Sequence, residues 1–315
     1  MRRGGVLFGV NDMEWNEGTC FLNGRWQPLA NAQVSVLDRG FIFGDGVYEV
    51  IPIDTLDGLR APFRAADHFA RLGRSLAAIG MDNPYSVEEW LALLDELVER
   101  HPWPRQSVYI QVTRGVARRD HGFPSGVTPT VFAATWPWPE IPSEQIERGI
   151  AVATHADERW LHCEIKSTSL LGNVLMKQYA TEHGAYEVIM HRDGRLTEAS
   201  SANVLIVQGD LIVAPLKDNA ILPGITYDAV FDIARARGAA TEARMIRVEE
   251  LHTADEIWIS SSGREVLAVT RLDGAPVGNG APGPMYRKVL AWYQDAKRDE
   301  ARRWQAQRAN FKKAA

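Results

Sequence analysis

The stretch Trp136-Pro137-Trp138-Pro139-Glu140-Ile141-Pro142 decides how the chain is divided. Proline fixes its own φ, lacks an N–H and pushes the residue before it out of the helical region. Neither a helix nor a paired strand is therefore expected to run through this segment, which predicts an interdomain linker over 136–142. Upstream, residues 19–135 read as a small α+β domain. Strands are expected at Val34–Leu37 and Val47–Thr55, then a Leu56-Asp57-Gly58 turn, helices over Ala65–Ile79 and Val87–Arg100, and strands at Ser107–Val116 and Thr130–Ala134. Downstream, residues 143–285 read as a larger domain with a strand at 150–155 and a helix over Leu170–His183. A hairpin follows with His191-Arg192-Asp193-Gly194 at its tip, then strands at 202–208 and 211–214 joined by Gln208-Gly209-Asp210. Pro223-Gly224 opens a helix ending at Gly238, and strands follow at Ile257–Ser260 and Val266–Thr270.

Two ends lie outside this body. Residues 1–18 are Gly-rich and unpatterned, an extension expected to be poorly ordered. Residues 286–315 read as a charged helix, and 294–315 hold seven basic and three acidic groups, expected to form a solvated face rather than a nucleic-acid contact.

Composition narrows the function classes. With 315 residues, 45% hydrophobic and 24% charged, the chain can bury a substantial core. Its 35 basic and 40 acidic residues leave a charge of −5, which argues against nucleic acid or an anionic membrane as chief partner and favours a small molecule. Lysine is scarce: seven lysines against 28 arginines. Cys20 and Cys163 could form one bridge at most and have no metal-type spacing around them, so a reducing cytoplasm is expected. The apolar run Val6–Val10 is too short for a secretory segment, and no window approaches the ~18 apolar residues of a membrane span.

Several residues are placed to do chemistry. Lys166, in Glu164-Ile165-Lys166-Ser167-Thr168-Ser169, stands where a β-like run meets polar residues before a helix, a half-buried position from which an amine can attack a carbonyl. Lys177 and Lys217 read as solvated. Gly224-Ile225-Thr226 is either an ordinary helix start or an anion cup of free N–H groups, helix dipole and hydroxyl. Ser260-Ser261-Ser262-Gly263 is a turn or a second hydroxyl-lined anion loop. Arg119-Asp120-His121 can grip a carboxylate or form a solvated loop. Glu198, before Ala199-Ser200-Ser201-Ala202, could enter a tight site or face solvent.

Together these segments resemble the fold type IV pyridoxal-phosphate enzymes, and most the D-amino-acid aminotransferases, from about Phe21 to Asp273. The resemblance is carried by Asp38-Arg39-Gly40-Phe41-Ile42-Phe43-Gly44-Asp45-Gly46-Val47-Tyr48-Glu49, His68-Phe69-Ala70-Arg71-Leu72 and Gln111-Val112-Thr113-Arg114-Gly115 leading to Arg119-Asp120-His121. The second half adds Ile165-Lys166-Ser167, Leu171-Gly172-Asn173-Val174-Leu175, Thr197-Glu198-Ala199-Ser200-Ser201-Ala202-Asn203-Val204 and Ile221-Leu222-Pro223-Gly224-Ile225-Thr226.

The resemblance implies a two-domain α+β fold with a barrel-like sheet in the larger domain, and pyridoxal 5'-phosphate (PLP) as cofactor. Lys166 would hold the cofactor and shuttle the proton, and Glu198 would pair with its pyridine nitrogen. Arg71, Gly224, Ile225, Thr226, Ser261 and Ser262 would form the phosphate cup, with Leu222 on the ring face. Tyr48, Arg119 and His121 would trap the substrate α-carboxylate, the last two reaching in from a second subunit, so a homodimer with its active site at the subunit interface is implied. The implied reaction moves the amino group of a D-amino acid to 2-oxoglutarate or pyruvate. Alternatives on the same fold are (R)-selective amine transaminases, L-branched-chain transaminases and aminodeoxychorismate lyases. A non-catalytic binder would lack Lys166 or Glu198, and a phosphate-sugar enzyme would use the Gly224–Thr226 cup without PLP. Departures from the family pattern are Ala199, where glycine is common, and Gly263-Arg264, which replaces a hydroxyl-rich stretch; Phe41 and Arg118 adjoin the predicted site.

Overall fold

A computed structural model describes residues 16–314, with side chains to residue 308; most of the expected N-terminal extension lies outside the described residues. Two sheets organise the chain. The first is antiparallel and holds β1 (Thr19–Leu22), β2 (Arg25–Pro28), β3 (Gly46–Leu56), β4 (Leu59–Pro62), β5 (Gln106–Thr113) and β6 (Thr130–Pro137) in the order β2-β1-β6-β5-β3-β4. Ahead of β3 a one-turn helix, α1 (Arg39–Phe43), is capped by Asp38, whose side chain accepts from Gly40 N. Helices α2 (Ala65–Ala78) and α3 (Val87–Glu99) cover this sheet. Their apolar stripes, including Phe69, Leu72, Leu76, Trp90, Leu94 and Leu97, pack on Val47, Ile51 and Val108. The Ser86–Glu89 capping box fixes where α3 begins.

After a short helix α4 (Ser143–Arg148), the second sheet holds β7 (Ile150–Ala156), β8 (Glu187–Arg192), β9 (Arg195–Ala199), β10 (Asn203–Gln208), β11 (Leu211–Ala214), β12 (Ala240–Ala243), β13 (Glu256–Ser261), β14 (Glu265–Leu272) and β15 (Ala275–Pro276). Its order is β12-β11-β10-β13-β14-β7-β8-β9, with β15 on β14. The end strand β9 turns straight into the internal strand β10, with Ala199 N donating to Ala202 O at 2.7 Å. The sheet must therefore curl towards a barrel to bring both into contact. Helix α5 (Leu171–Glu182) lies on β8, and α6 (Ile225–Ala236) packs with the long α7 (Pro284–Ala314) against β13. The fold is the expected mixed α+β architecture with a barrel-like sheet in the larger part. Among the described residues no helix is long and apolar enough to cross a membrane.

Three expectations change. Val34–Leu37 is not a strand: it is a turn-containing approach to the Asp38 cap, with Asp38 N donating to Ser35 O, and Val34, Val36 and Leu37 are exposed. The first two linker residues belong to β6, whose Pro137 sits opposite Gln106 at the last register position, where the strand ends and the missing N–H breaks no ladder. The C-terminal helix begins at Pro284, with Met285, Tyr286, Val289 and Tyr293 buried with Phe63 and Trp258, and the expected solvated face over 294–315 is interrupted by the buried Lys297 and Ala301.

Charges of α7 are likewise used in tertiary contacts. Lys297, 6% exposed, reaches Asp54 Oδ2 on β3 at 2.8 Å and Glu265 Oε1 on β14, while Arg105 Nε lies 2.9 Å from Asp54 Oδ1. One ammonium thus ties the helix to both sheets. Replacing it by Lys297→Met would leave two buried carboxylates short of a cation. An order-of-magnitude loss of about 3 kcal/mol in unfolding free energy is expected, readable as a lowered midpoint in urea denaturation.

Candidate active site

Between the two sheets lies a cavity of about 190 Å³ lined by Tyr48, Arg71, Lys166, Glu198, Leu222, Gly224, Ile225, Thr226, Ser261 and Ser262. Ten of the residues singled out from sequence thus converge from six separate segments. Arg119 and His121 do not line it. They are exposed on the loop after β5, where Arg119 stands over the Phe43 ring and the His121 and Phe43 rings are 5.4 Å apart. That loop is anchored: Arg39, paired with Asp45, donates through Nη1 to Asp120 O at 2.5 Å, and Asp45 also receives Arg114.

Lys166 is fixed by its backbone. Its O accepts from Tyr48 N at 2.9 Å, its N donates to Ser75 Oγ at 3.2 Å, and Val47 bridges to Ser167. The segment is therefore laid along the first residues of β3. The Lys166 amine stands 4.2 Å from the centre of the Tyr48 ring, which itself stacks on Tyr109. Lys166 and Tyr48, distant in sequence, meet because one backbone hydrogen bond sets their register.

Glu198, at the end of β9, is 5% exposed and fully partnered. Its Oε1 accepts from Arg159 Nη1 at 2.5 Å; its Oε2 accepts from Asn203 Nδ2 and Leu222 N, each at 3.0 Å. Burial is the largest influence on it and outweighs the guanidinium, pushing its pKa up to about 7. Arg159 is shared, since Asp157 holds its Nε and Nη2 at 2.9 Å each, and part of its charge is spent there. A carboxylate so placed is ready to face a cationic partner in the cavity.

The opposite end suits an anion. Helix α6 has Gly224 as its N-cap with no side-chain cap, leaving first-turn N–H groups and the positive end of the dipole directed outwards. A Cβ on Gly224 would come within 1.8 Å of Asn203 Oδ1, so glycine is required for this close approach. Arg71 donates through Nη1 to Pro223 O at 3.0 Å, which brings its guanidinium against the helix start. Ser260 Oγ, on the cavity wall, is buried with no protein partner among the described residues.

Arg71 is held by a carboxylate that sequence reading did not single out. Glu49 is fully buried on β3 and accepts Arg71 Nε and Nη2 at 2.7 and 2.8 Å, while His68 Nδ1 lies 2.7 Å from Glu49 Oε2. Burial raises the Glu49 carboxyl, but Arg71 and then His68 outweigh it and hold it well below the usual range. Burial also keeps His68 below its ordinary value. A signal was present: Val47, Glu49, Ile51 and Ile53 alternate along β3 on one buried face, and a charge in such a row needs a partner. Arg159 and Asn203 were likewise missed. Arg159 follows Glu158 in a charged loop that carries no pattern, whereas Asn203 sits at the first position of a strand.

The donor set fits PLP. An amine for its carbonyl, a buried carboxylate for its ring nitrogen and an anion cup with Ser260 Oγ unpartnered for its phosphate line one space.

Known proteins bear on the same residues. The family model for amino-transferase class IV matches residues 46–272. A D-alanine aminotransferase of Bacillus licheniformis is 40% identical over 274 residues, covering 87% of this chain and 95% of that protein. One of Staphylococcus aureus (strain MW2) is 40% identical over 275 residues, covering 87% and 96%. Among solved structures, a branched-chain amino acid aminotransferase of T.th. with pyridoxamine 5'-phosphate superposes with a TM-score of 0.86 at 25% identity, covering 91% of this chain and 97% of that one.

Glu49→Gln would leave the Arg71 guanidinium buried without its counter-charge. A loss of about 3 kcal/mol in stability at neutral pH is expected. Because the folded-state pKa of Glu49 is lowered from 4.5, the wild-type advantage is full above that value and shrinks as pH falls below it. Urea unfolding of both proteins across pH 3–7 checks the sign: a gap that widens on acidification would contradict it.

Proposed function

The chain belongs to the class IV aminotransferases, and from that premise we propose that it is a PLP-dependent D-amino-acid transaminase, passing the amino group of a D-amino acid to a 2-oxo acid such as 2-oxoglutarate or pyruvate in two half-reactions. The observation that carries this reading is the convergence of Lys166, Glu198 and the α6 N-terminus on one cavity. The D-amino-acid choice is supported by the curated relatives and by the Arg119-Asp120-His121 loop; branched-chain neighbours share the fold at lower identity.

Bound in this cavity, PLP supplies a reactive carbonyl and a conjugated ring that takes up the electron pair of the substrate's broken Cα–H bond. The protein does the rest. With the cofactor held, Lys166 Nζ would be the group that takes up and gives back the proton of the substrate's α-carbon, acting from a fixed backbone and an amine steered by the Tyr48 ring. Glu198, poised near 7 by burial, would supply the anion opposite the ring nitrogen, and Arg159 and Asn203 keep its oxygens aimed. Arg71, the Ile225 and Thr226 backbone, and the Thr226, Ser261 and Ser262 hydroxyls, all on the cavity wall, would hold the phosphate, and Leu222 would lie against the ring.

Tyr48 binds the substrate α-carboxylate from within the subunit, and Arg119 and His121 come from a second copy of the chain. Their exclusion from their own cavity supports this homodimer, as do the exposed apolar Phe41, Leu171, Val174 and Leu175 on surrounding segments. A cytoplasmic location is supported by Cys20 and Cys163, both free and buried.

Two experiments test the reading. Lys166→Ala is expected to abolish turnover and the visible absorption of the holoenzyme; a variant that still transaminates would sink the assignment. A panel of D-alanine, D-glutamate, L-leucine and (R)-1-phenylethylamine in single half-reactions should give conversion with the D-amino acids; conversion of L-leucine alone would overturn the D-specific reading. The shared site has its own test. Lys166→Ala and Arg119→Ala subunits, each inactive alone, should recover about one quarter of wild-type activity when co-assembled, because half the dimers then carry one intact site. No recovery would mean that each subunit uses its own arginine.

A further inference from the structure

Next to the catalytic cavity lies a second one of about 460 Å³, and the two share the Tyr48, Lys166, Ser201, Ser261 and Ser262 walls. The second cavity therefore adjoins the Lys166 amine, where the α-carbon of a substrate would react. The far wall comes from the β13–β14 turn: Gly263 lies under Trp138, where a Cβ would meet the indole at 1.9 Å, and Arg264 follows. Arg264 is one of the departures from the family pattern and has no part in the cofactor site described above.

The chemistry of that wall is cationic. Arg264 donates through Nη1 alone, to Glu187 Oε2 at 2.8 Å and Ser201 Oγ at 3.0 Å; among the described residues its Nε and Nη2 make no hydrogen bond. Glu187 is fully buried and is already saturated by Ser200, Ser201 and Val188 N besides Arg264. Lys177 lies on the same wall, its amine on Tyr186 O. Two cations therefore face one carboxylate, leaving a positive surplus. The lining acid Glu140 does not cancel it, since its side chain is 87% exposed and it turns to Arg105.

Resting on the transaminase reading above, we infer that Arg264, supported by Lys177, receives the distal carboxylate of the substrate through its free guanidinium edge, so that the substrates favoured are D-amino acids with an acidic side chain. The guanidinium is held through Nη1 by Glu187 and Ser201 and stands 5.3 Å from the centre of the Tyr186 ring, which leaves the Nε and Nη2 N–H groups as the planar fork that a carboxylate matches. The same subsite accepts the distal carboxylate of 2-oxoglutarate as amino acceptor.

The test compares D-glutamate with its neutral near-isostere D-glutamine in the holoenzyme. Wild type should favour D-glutamate in kcat/KM, and Arg264→Gln should lower that preference about 30-fold, the scale of a lost charge-assisted pair. Arg264→Lys should restore part of it, which a purely structural role beside Glu187 would not tie to substrate charge. Calorimetry gives an independent readout: glutarate should bind wild-type holoenzyme more tightly than its monoamide, with the difference lost in Arg264→Gln. An unchanged D-glutamate to D-glutamine preference in Arg264→Gln, or no preference in wild type while D-alanine reacts, would overturn this inference alone. Failure of every D-amino acid to react would overturn the transaminase reading and this inference with it.

Discussion

The Glu49–Arg71 ion pair is the constraint on which the site depends. Both groups are buried, and an unpaired charge in that position would cost several kcal/mol. Once paired through Nε and Nη2, the guanidinium reaches Pro223 O at the start of α6 through Nη1, and two of its five N–H bonds remain for the cup. A carboxylate on β3, an arginine on α2 and a helix terminus from the second sheet are thereby fixed to each other. Sequence separates Glu49 from Pro223 widely, yet the anion cup has its cation only because these groups meet.

A second constraint works through backbone. Tyr48 N bonded to Lys166 O sets the amine over the phenol ring. Side chains on a strand alternate, so a slip of one residue would turn Tyr48 away and expose Glu49. The buried charge pair and the amine register are neighbours on one strand, and each enforces the other. Glu198 is positioned by Arg159, Asn203 and Leu222 N, and because Asn203 also donates to Leu222 O and closes on Gly224, the 222–224 segment joins the two ends of the cavity.

Much of this was legible in sequence where local rules act. The helices α2, α3, α5 and α6 follow their apolar spacing to within a few residues, and the Asp193-Gly194 hairpin tip has the positive φ values its residues favour. The cavity residues were reachable because the segments that carry them resemble a family as a set; no single motif would have placed Lys166 beside Glu198. What escaped depends on tertiary context. Val34–Leu37 looks like a strand by residue type, but among the described residues it joins no strand ladder and becomes the lead-in to a helix cap. Arg159 is a buried hub although its loop reads as charged surface, because its partners Asp157 and Glu198 come together only in the fold. The charged C-terminal helix hides its role in the same way: the spacing of Lys297 says nothing of Asp54 and Glu265.

That helix has a consequence in time. The backbone N–H of Arg64, which opens α2, donates to Glu300 Oε1 from a residue 236 positions later, and Gln305 reaches Arg60 O on β4. As the chain leaves the ribosome from its N-terminus, the edge strand of the first sheet emerges well before the helix that seats against it. The first sheet can gather its own core early, but its edge stays open until residues 300–305 have been made. Removing residues 300–305 should therefore be felt at the start of α2, about two turns from Arg71, rather than only in the segment removed.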